Sequence, residues 1–448
     1  MYKINHANIK DWAKNYDGPQ FDGILCDPPY ELGFMGKSWD SSGIAFDTEM
    51  WADIFKLLKP GGHLLAFSGS RTYHRMAVAI EDAGFEIRDQ LIWMYGSGFP
   101  KSLSIGKAVD KIQGNERVEV EEEHWGRANR SYETEAKVFS GNRADDIKDG
   151  KRTVSKGTSE WEGWGTALKP AHEPICMARK PLSEKTVAEN CLKWGTGGIN
   201  IDGCRVAANW KEERPESWFN SGKSKSGNPT YDGNLKSLTE STVGERLNDN
   251  GRFPANLILS DDPEVEAVFP QTGKGNGGKP FSYSGREYDN KDSSMFNGDK
   301  PQAPSNFNDS GSASRYFYTA KASKSERNAG LEGFEDAERT DYGGFHSEKG
   351  LIENGRNPEN RVPMKNGHPT VKPLSLTKYL ATLIKPPTGG RLLVPFSGSG
   401  SEMIGALQAG WEYVEGVELT EEYIPIAEAR IKYWTERVKE EDKQVRLV

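Results

Sequence analysis

The sequence predicts an α/β protein built on a parallel sheet. Three observations carry that expectation. Short apolar runs alternate with helical stretches through residues 1–100, the same alternation returns in the last 80 residues, and glycine or proline breaks mark the changes between them.

The elements follow in order. Phe21–Cys26 reads as a strand and Met50–Leu58 as a helix. Lys59-Pro60-Gly61-Gly62 then breaks the chain before a strand over His63–Phe67. A helix over Thr72–Ala83 stops at Gly84, and Phe85–Trp93 returns as a strand. From about 104 to 160 the chain turns charged and polar, with Glu119 and Glu121–Glu123 close together. Small apolar islands follow at Glu173–Met177, Gly198–Val206 and Phe253–Leu259. Between them, about 211–250 and 271–312 are rich in Gly, Ser, Asn and Lys. Such stretches bury too little surface to offset their ordering entropy, so they read as long loops or partly disordered segments. No internal repeat is visible. Leu374–Ile384 carries apolar residues at helical spacing (Leu376, Tyr379, Leu380, Leu383, Ile384). Pro386, Pro387, Gly389 and Gly390 precede a strand over Arg391–Val394. A helix from Ser401 to Ala409 ends at Gly410, Tyr413–Glu418 forms the next strand, and Glu421–Trp434 closes the unit as an amphipathic helix before a charged tail.

The chain of 448 residues is long enough for two or three domains at roughly 150 residues each. Its 58 Lys and Arg against 66 Asp and Glu give a net charge of −8. That balance weighs against a surface basic all round, but leaves room for a local basic groove. No apolar run approaches the roughly 18 residues a membrane span needs, and residues 1–20 lack a signal-peptide pattern. The four cysteines form no C-x-x-C pair and the seven histidines no H-x-x-x-H pair, which argues against a disulfide framework or a structural zinc. The expectation is a soluble, intracellular protein without a metal.

Two segments carry chemistry. In Phe396-Ser397-Gly398-Ser399-Gly400, between a strand and a helix, Gly398 and Gly400 would let the backbone turn tightly and approach a ligand. The glycines alone suit an ordinary strand-to-helix turn equally well. Glu418, however, ends the next strand at about the ~20-residue spacing that places a carboxylate on ribose hydroxyls. That favours a nucleoside-containing cofactor, and the absence of G-x-x-x-x-G-K-[ST] excludes a phosphate P-loop. The second segment is Asp27-Pro28-Pro29-Tyr30, directly after a strand. Its two prolines stiffen the backbone and remove two donors. The Asp27 carboxylate and the Pro28 carbonyl could both accept from one exocyclic amino group, and Tyr30 offers a face for stacking a base. Drawing both amino protons toward acceptors localises the nitrogen lone pair and raises its reactivity toward an electrophilic methyl. As a bare dipeptide, Asp-Pro also suits a plain turn.

Together, Asp27-Pro28-Pro29-Tyr30 and Pro395-Phe396-x-Gly398-x-Gly400 resemble the motifs of the amino-group DNA methyltransferases that act on adenine N6 or cytosine N4. The order, catalytic motif first and cofactor motif last, resembles the β class, a circularly permuted Rossmann-like methyltransferase sheet. His368-Pro369-Thr370-Val371-Lys372-Pro373 is similar to the family's remaining cofactor motif. Leu168-Lys169-Pro170-Ala171-His172-Glu173-Pro174-Ile175 and Gly251–Leu259 resemble stretches of phage and prophage members.

The resemblance implies a catalytic half at 1–110, a loop-rich target-recognition insertion at 111–360 and a cofactor-binding half at 361–448. It implies that Asp27, Pro28, Pro29 and Tyr30 hold and activate a base flipped out of double-stranded DNA. S-adenosyl-methionine would lie along Pro395, Phe396, Gly398, Ser399 and Gly400, with Glu418 on its ribose. Thr370 and Lys372 would flank its methionine end, and Cys26 and Asp27 would abut it. Methyl transfer in this family is direct, so no cysteine nucleophile is required. The resemblance further implies a cytoplasmic protein of a bacterium or phage-infected cell, a homodimer as in many relatives, and a restriction-modification setting. Aspartate at the first motif position leans toward adenine N6; cytosine N4 is the alternative, and RNA methylation is disfavoured by the motif order and the large insertion. One departure stands out. The family commonly has an aspartate before Pro-Phe where this chain has Val394, so a carboxylate contact to the cofactor is missing or supplied from elsewhere. That motivates a further alternative, a DNA-binding homologue with impaired turnover. Ser401 in place of the usual threonine keeps the hydroxyl.

In the middle region, Arg315-Tyr316-Phe317-Tyr318 with Lys321, Lys324 and Arg327 could meet phosphates and unstacked bases, or form a solvated loop beside a buried strand. Trp161 and Trp164 suit core anchors or stacking platforms, and Lys37-Ser38-Trp39-Asp40 a flap over the base. His63, His74 and His172 read as structural. No endonuclease motif is visible, so no DNA cleavage is expected.

Overall fold

Among the described residues, nine strands form one sheet, in the order Tyr2–His6, Tyr413–Glu418, Arg391–Val394, Phe21–Cys26, Leu58–Phe67, His172–Arg179, Glu86–Met94, Leu257–Ser260 and Tyr318–Ala320. This computed structural model describes residues 1–32, 38–96, 98, 102–123, 147–148, 151–208, 251–272, 311–321, 325–335, 365–368 and 370–445. Neighbours in the sheet run parallel except where His172–Arg179 lies antiparallel to both of its partners. The fold is therefore mixed α/β on a mostly parallel sheet.

Strands such as Phe21–Cys26, buried at every residue, are what a parallel sheet covered on both faces requires. On one face Leu25, Leu65, Phe67 and Val394 pack against the helix Leu374–Ile384 and against Met403, Ile404 and Ile431 of the two helices that follow. On the other, Ile24, Cys26, Leu64 and Ala66 pack against the helices Ile9–Asn15, Thr48–Leu57 and Tyr73–Asp82. Asp22 ties three central strands together. It accepts from Lys59 Nζ at 2.6 Å and from the Arg391 backbone N–H at 2.7 Å.

The helix Leu374–Ile384 and the strands Phe21–Cys26, Arg391–Val394 and Tyr413–Glu418 fall where the sequence places them. Several expectations need correction. The sheet is not wholly parallel. His172–Arg179, read only as the apolar island Glu173–Met177, arrives from the opposite end and fills the gap between Leu58–Phe67 and Glu86–Met94. Lys59-Pro60-Gly61-Gly62 does not separate the helix from a strand that begins at His63. It is absorbed as an irregularity within Leu58–Phe67, where the register shifts opposite Phe21 and Gly23. Gly61 sits at φ +79°, and a Cβ there would meet Asn190 Nδ2 at 2.4 Å. That amide in turn donates to Pro60 O at 2.9 Å, so only glycine allows the approach.

The polar stretch after residue 104 is more regular than its composition suggests. A helix over Ile105–Gln113 starts on a Ser104 side-chain cap and ends at Gly114 in the left-handed region. The acidic run Val118–Glu123 pairs antiparallel with Lys151–Lys156, which is joined in turn to Ile147–Lys148. Phe253–Leu259 contributes the strand Leu257–Ser260, while Gly198–Val206 holds a short 3-10 turn at Asp202–Cys204. The last helix runs Tyr423–Val445, longer than its amphipathic part, because the charged tail is itself made of good helix formers. The expected loop at about 211–250 lies outside the described residues, as does most of 271–312. At its ends, Gln271–Thr272 and Gly311–Ser312 pair antiparallel. Residues 172–179, 257–260 and 318–320 of the middle region thus belong to the central sheet.

Candidate active site

Three strands point their carboxyl ends at one crevice, the place where open α/β sheets bind ligands. Phe21–Cys26 lies directly beside Arg391–Val394, with Gly23 opposite Leu392 and Ile24 opposite Leu393. The loops that follow these strands are therefore neighbours, although they are far apart in the chain. Tyr413–Glu418, next in the sheet, delivers Glu418 to the same edge. The antiparallel strand His172–Arg179 begins there and brings Glu173.

At the first loop, Thr72 Oγ1 donates to the Tyr30 carbonyl at 2.7 Å and fixes the turn. Glu31 follows at φ 55°, a left-handed backbone at a non-glycine residue. The Tyr30 hydroxyl donates to Glu173 Oε2 at 2.7 Å. Lys372 places its Nζ 2.5 Å from Asp27 Oδ2 and 3.5 Å from Glu173 Oε2, and 5.3 Å from the centre of the Tyr30 ring. Burial pushes the Asp27 carboxyl above its usual value against the pull of Lys372. Burial pulls Lys372 down, but the charges of Asp27 and Glu173 outweigh it and hold the ammonium above its usual range. Burial likewise drives the Tyr30 hydroxyl well up, so it stays protonated as a donor. Asp27 Oδ1, the other carboxylate oxygen, is buried and has no hydrogen-bond partner among the described residues. A buried acceptor left in that state is costly until a donor arrives.

At the second loop, Gly398 stands at φ 47° and Gly400 at φ 83°. A Cβ on Gly398 would lie 2.8 Å from His368 Nε2. The Gly398 N–H donates to Glu418 Oε2 at 2.7 Å and the Thr420 N–H to Oε1 at 2.8 Å. A carboxylate offers about four acceptor positions, so each oxygen keeps one for a ligand hydroxyl. Arg430, wholly buried, props the loop from below by donating to Ser399 O at 2.5 Å, Ser399 Oγ at 2.9 Å and Ser401 Oγ at 3.2 Å. His368 accepts the Thr370 N–H on Nδ1 at 3.3 Å. Burial, helped by Lys372, lowers its pKa to about 3, so the ring is neutral.

Both loops wall a single cavity of about 990 Å³. That is the upper end of the roughly 300–1,000 Å³ common for ligand sites, room for a nucleoside cofactor and a base together. Asp27, Pro28, Pro29 and Tyr30 line one side of it. Thr370, Pro395, Phe396, Gly398, Ser399 and Glu418 line the other.

Three residues expected at the cofactor, Cys26, Gly400 and Lys372, do not line this cavity. Cys26 is wholly buried between the sheet and its helices, and burial pushes its thiol well up. Gly400 lies behind the loop, where a Cβ would press on Ile431 and Ala427 of the last helix. Lys372 is buried and its ammonium closes on Asp27. Sequence reasoning assigned no role to Glu173, His368, Glu402 or Arg430. Glu173 and His368 stood inside motifs already noted, and Glu402 directly follows Ser401. Arg430 gave no signal, being one of several charges on an amphipathic helix.

The remaining candidates divide. Trp161 and Trp164 are exposed and meet edge to face at 5.3 Å, which suits neither core anchor. Arg315 stands over the Tyr316 ring at 4.4 Å, and Tyr318 stacks on Tyr379 at 4.0 Å. Arg327 donates to the carbonyls of Asn366 and His368, so it braces the Thr370 segment. Asp40 is buried and accepts the Glu31 N–H at 3.0 Å. Lys37, Lys324 and Pro369 lie outside the described residues. His63 is buried with its pKa lowered to about 3 by burial. Among the described residues no group of three His, Cys, Asp or Glu side chains is placed to hold a metal ion. None of their helices is long and apolar enough to cross a membrane.

A family model described as DNA methylase, of the N6/N4 type, matches residues 21–429. Among curated proteins, the Type II methyltransferase M.HindIII of Haemophilus influenzae is 29% identical over 155 residues. That match takes in 34% of this chain and 37% of the relative's length. Among solved structures, the M1.HpyAVI–SAM complex shares 12% identity at a TM-score of 0.36, covering 96% of this chain and 100% of that one. The cytosine-N4-specific PvuII DNA methyltransferase shares 10% at 0.38, covering 98% of this chain and 92% of that one.

Proposed function

The chain belongs to the N6/N4 DNA methylase family, and on that premise we propose that it methylates the exocyclic N6 amine of an adenine flipped out of duplex DNA. The methyl donor is S-adenosyl-methionine. The observation that carries this reading is the single cavity whose one wall holds a buried acceptor without a donor, Asp27 Oδ1, and whose other wall is a glycine loop bound to Glu418.

The residues present fit the cofactor. Glu418 keeps acceptor positions for ribose hydroxyls, Phe396 offers an apolar face, and the missing Cβ at Gly398 leaves the loop open beside His368. Ser397 Oγ, buried at the same wall, also lacks a partner. The cofactor supplies an electrophilic methyl group when bound. This chain's part is to present the nitrogen that receives it. Asp27 Oδ1 and the Pro28 carbonyl take the two amino protons, which localises the nitrogen lone pair. Tyr30 stacks on the base, held in place by Glu173. Burial raises the Asp27 carboxyl, and Lys372 pulls against that rise, favouring the ionised form that accepts rather than donates. Cys26 is buried away from the cavity, in keeping with direct transfer without a covalent enzyme intermediate. Base flipping follows from the depth of Asp27, since a stacked base cannot reach it.

Asp27 in the first motif position supports adenine; cytosine N4 is the second reading, and the same acceptors serve it. Target recognition belongs to 111–360, in the excursions between its sheet strands. Val394 supports the third reading, a homologue with weakened turnover, because it is wholly buried among apolar residues and offers the cofactor nothing.

The test is modified-nucleoside mass spectrometry on DNA from cells expressing the wild-type chain or Asp27→Ala. N6-methyladenine that appears with the first and vanishes with the second supports the reading. N4-methylcytosine keeps the mechanism and replaces the base. Neither product from folded protein brings the impaired homologue forward.

A further inference from the structure

Asp27, Glu173 and Glu402 bring three carboxyl groups to one cavity. The ammonium of Lys372 serves the first two, at 2.5 and 3.5 Å. Glu402 stands apart from that arrangement. It lines the cavity yet is only 4% exposed. No described lysine or arginine lies within ion-pair distance of it. The guanidinium of Arg430 is turned to Ser399 and Ser401. A buried carboxyl without a counter-ion is expensive to ionise. The cavity lining carries five carboxyl residues, Asp27, Asp40, Glu173, Glu402 and Glu418, against Arg71 and Lys169, the latter turned to Glu264; it holds more acid than cation and is suited to a positively charged ligand.

Position narrows the assignment. Glu402 lies in the first turn of the helix Ser401–Gln408, which leaves the glycine loop directly, so it shares a wall with Phe396 and Ser399. Val394, at the strand end before that loop, packs into the apolar core and contributes no charge. S-adenosyl-methionine carries two positive groups. A sulfonium has no proton to give, whereas an ammonium offers three donors to a carboxylate.

We infer that Glu402 receives the α-ammonium of the cofactor's methionine arm, supplying from the helix the carboxylate that Val394 does not supply from the strand. The assignment rests on the reading of this cavity as an S-adenosyl-methionine site. Burial raises the free Glu402 carboxyl to about 7, with Asp27 acting in the same direction and Lys372 and Arg430 against it. An arriving ammonium favours the ionised form, so binding and deprotonation go together.

Calorimetric titration of the full chain separates the possibilities. The ligands are S-adenosyl-methionine, S-adenosyl-homocysteine, which keeps the ammonium but not the sulfonium, and 5′-methylthioadenosine, which lacks both. Measurements are made at about pH 7.5, where an α-amino group is still largely protonated. Glu402→Gln should weaken the first two roughly ten- to a hundredfold, the loss of one charged hydrogen bond, and leave the third unchanged. Glu402→Asp, which keeps the charge on a shorter arm, should fall between. Loss for S-adenosyl-methionine alone would move the contact to the sulfonium and overturn the assignment. Equal loss for all three ligands, or none for any, would overturn it as well. Wild-type protein that binds no S-adenosyl-methionine would sink the reading of the cavity itself; binding indifferent to Glu402→Gln would sink only the role of Glu402.

Discussion

Glutamine at position 402 keeps the shape of the glutamate and removes its proton equilibrium, which makes the cost of that buried acid measurable without any ligand. Glu402 is 4% exposed, and burial together with the charge of Asp27 raises its pKa from 4.5 to about 7. A carboxyl whose folded-state pKa is raised contributes stability that is full below its unfolded pKa and lost as pH rises through the folded one. The window is therefore from about 4.5 to 7, and the wild-type chain loses stability across it. At roughly 1.4 kcal/mol per pKa unit, the difference amounts to at most about 3–4 kcal/mol by alkaline pH. Glu402→Gln does not titrate and escapes that loss. In urea unfolding of the ligand-free proteins, the variant should gain on wild type by up to this amount between about pH 5 and pH 8.5. A gap between the two proteins that stays constant with pH, or widens as pH falls, would refute the argument.

Four further outcomes are expected. Binding of S-adenosyl-methionine to wild type should tighten with rising pH up to about 7, by no more than tenfold per unit, and this dependence should disappear in Glu402→Gln; calorimetry over that range reads it directly. Lys372→Met leaves Asp27 and Glu173 without their cation and should cost about 3–5 kcal/mol near neutral pH, with the deficit shrinking in acid as the carboxyls protonate; urea midpoints against pH would show it. Gly398→Ala forces a Cβ to 2.8 Å from the His368 ring at a positive φ, so cofactor affinity should fall while the circular dichroism spectrum stays native. Glu173→Gln keeps a hydrogen bond to Tyr30 but weakens the acidic partnership of Lys372, so turnover should fall more than S-adenosyl-methionine affinity, as single-turnover and binding assays on one preparation would reveal.

Legibility varied with the range of the interactions. Leu374–Ile384 could be read to the residue because its apolar spacing and its proline-glycine end are local signals. Ile105–Gln113 carried equally local signals in Ser104 and Gly114, but a compositional reading of the surrounding charge hid them. Tyr2–His6 is a strand only because Tyr413–Glu418 lies beside it, and five mixed residues do not announce so distant a partner. The direction of His172–Arg179 was hidden for the same reason. In the site, the motifs named both walls of the cavity, since their residue types carry the chemistry. What they could not show was pairing. Lys372 was assigned to the cofactor and stands on Asp27, 345 residues away in the chain. Glu402 reads in sequence as an ordinary acid in a helix's first turn, where the dipole favours one; only burial beside the cavity sets it apart.

The adjacency of Phe21–Cys26 and Arg391–Val394 has a consequence in time. Ribosomes add roughly 5–20 residues per second, so Lys372 emerges about 20–70 s after Asp27. Until then the catalytic loop waits beside an open sheet edge, its carboxylate lacking a counter-ion, and the strand that will cover that edge does not yet exist. Such an edge invites pairing with other chains. The segment most exposed to that hazard, Phe21–Cys26, is buried at every residue in the finished fold. Chaperone dependence should therefore concentrate in this interval of synthesis. By the same logic, a chain released early lacks both the glycine-loop wall of the cavity and the ammonium that pairs with Asp27.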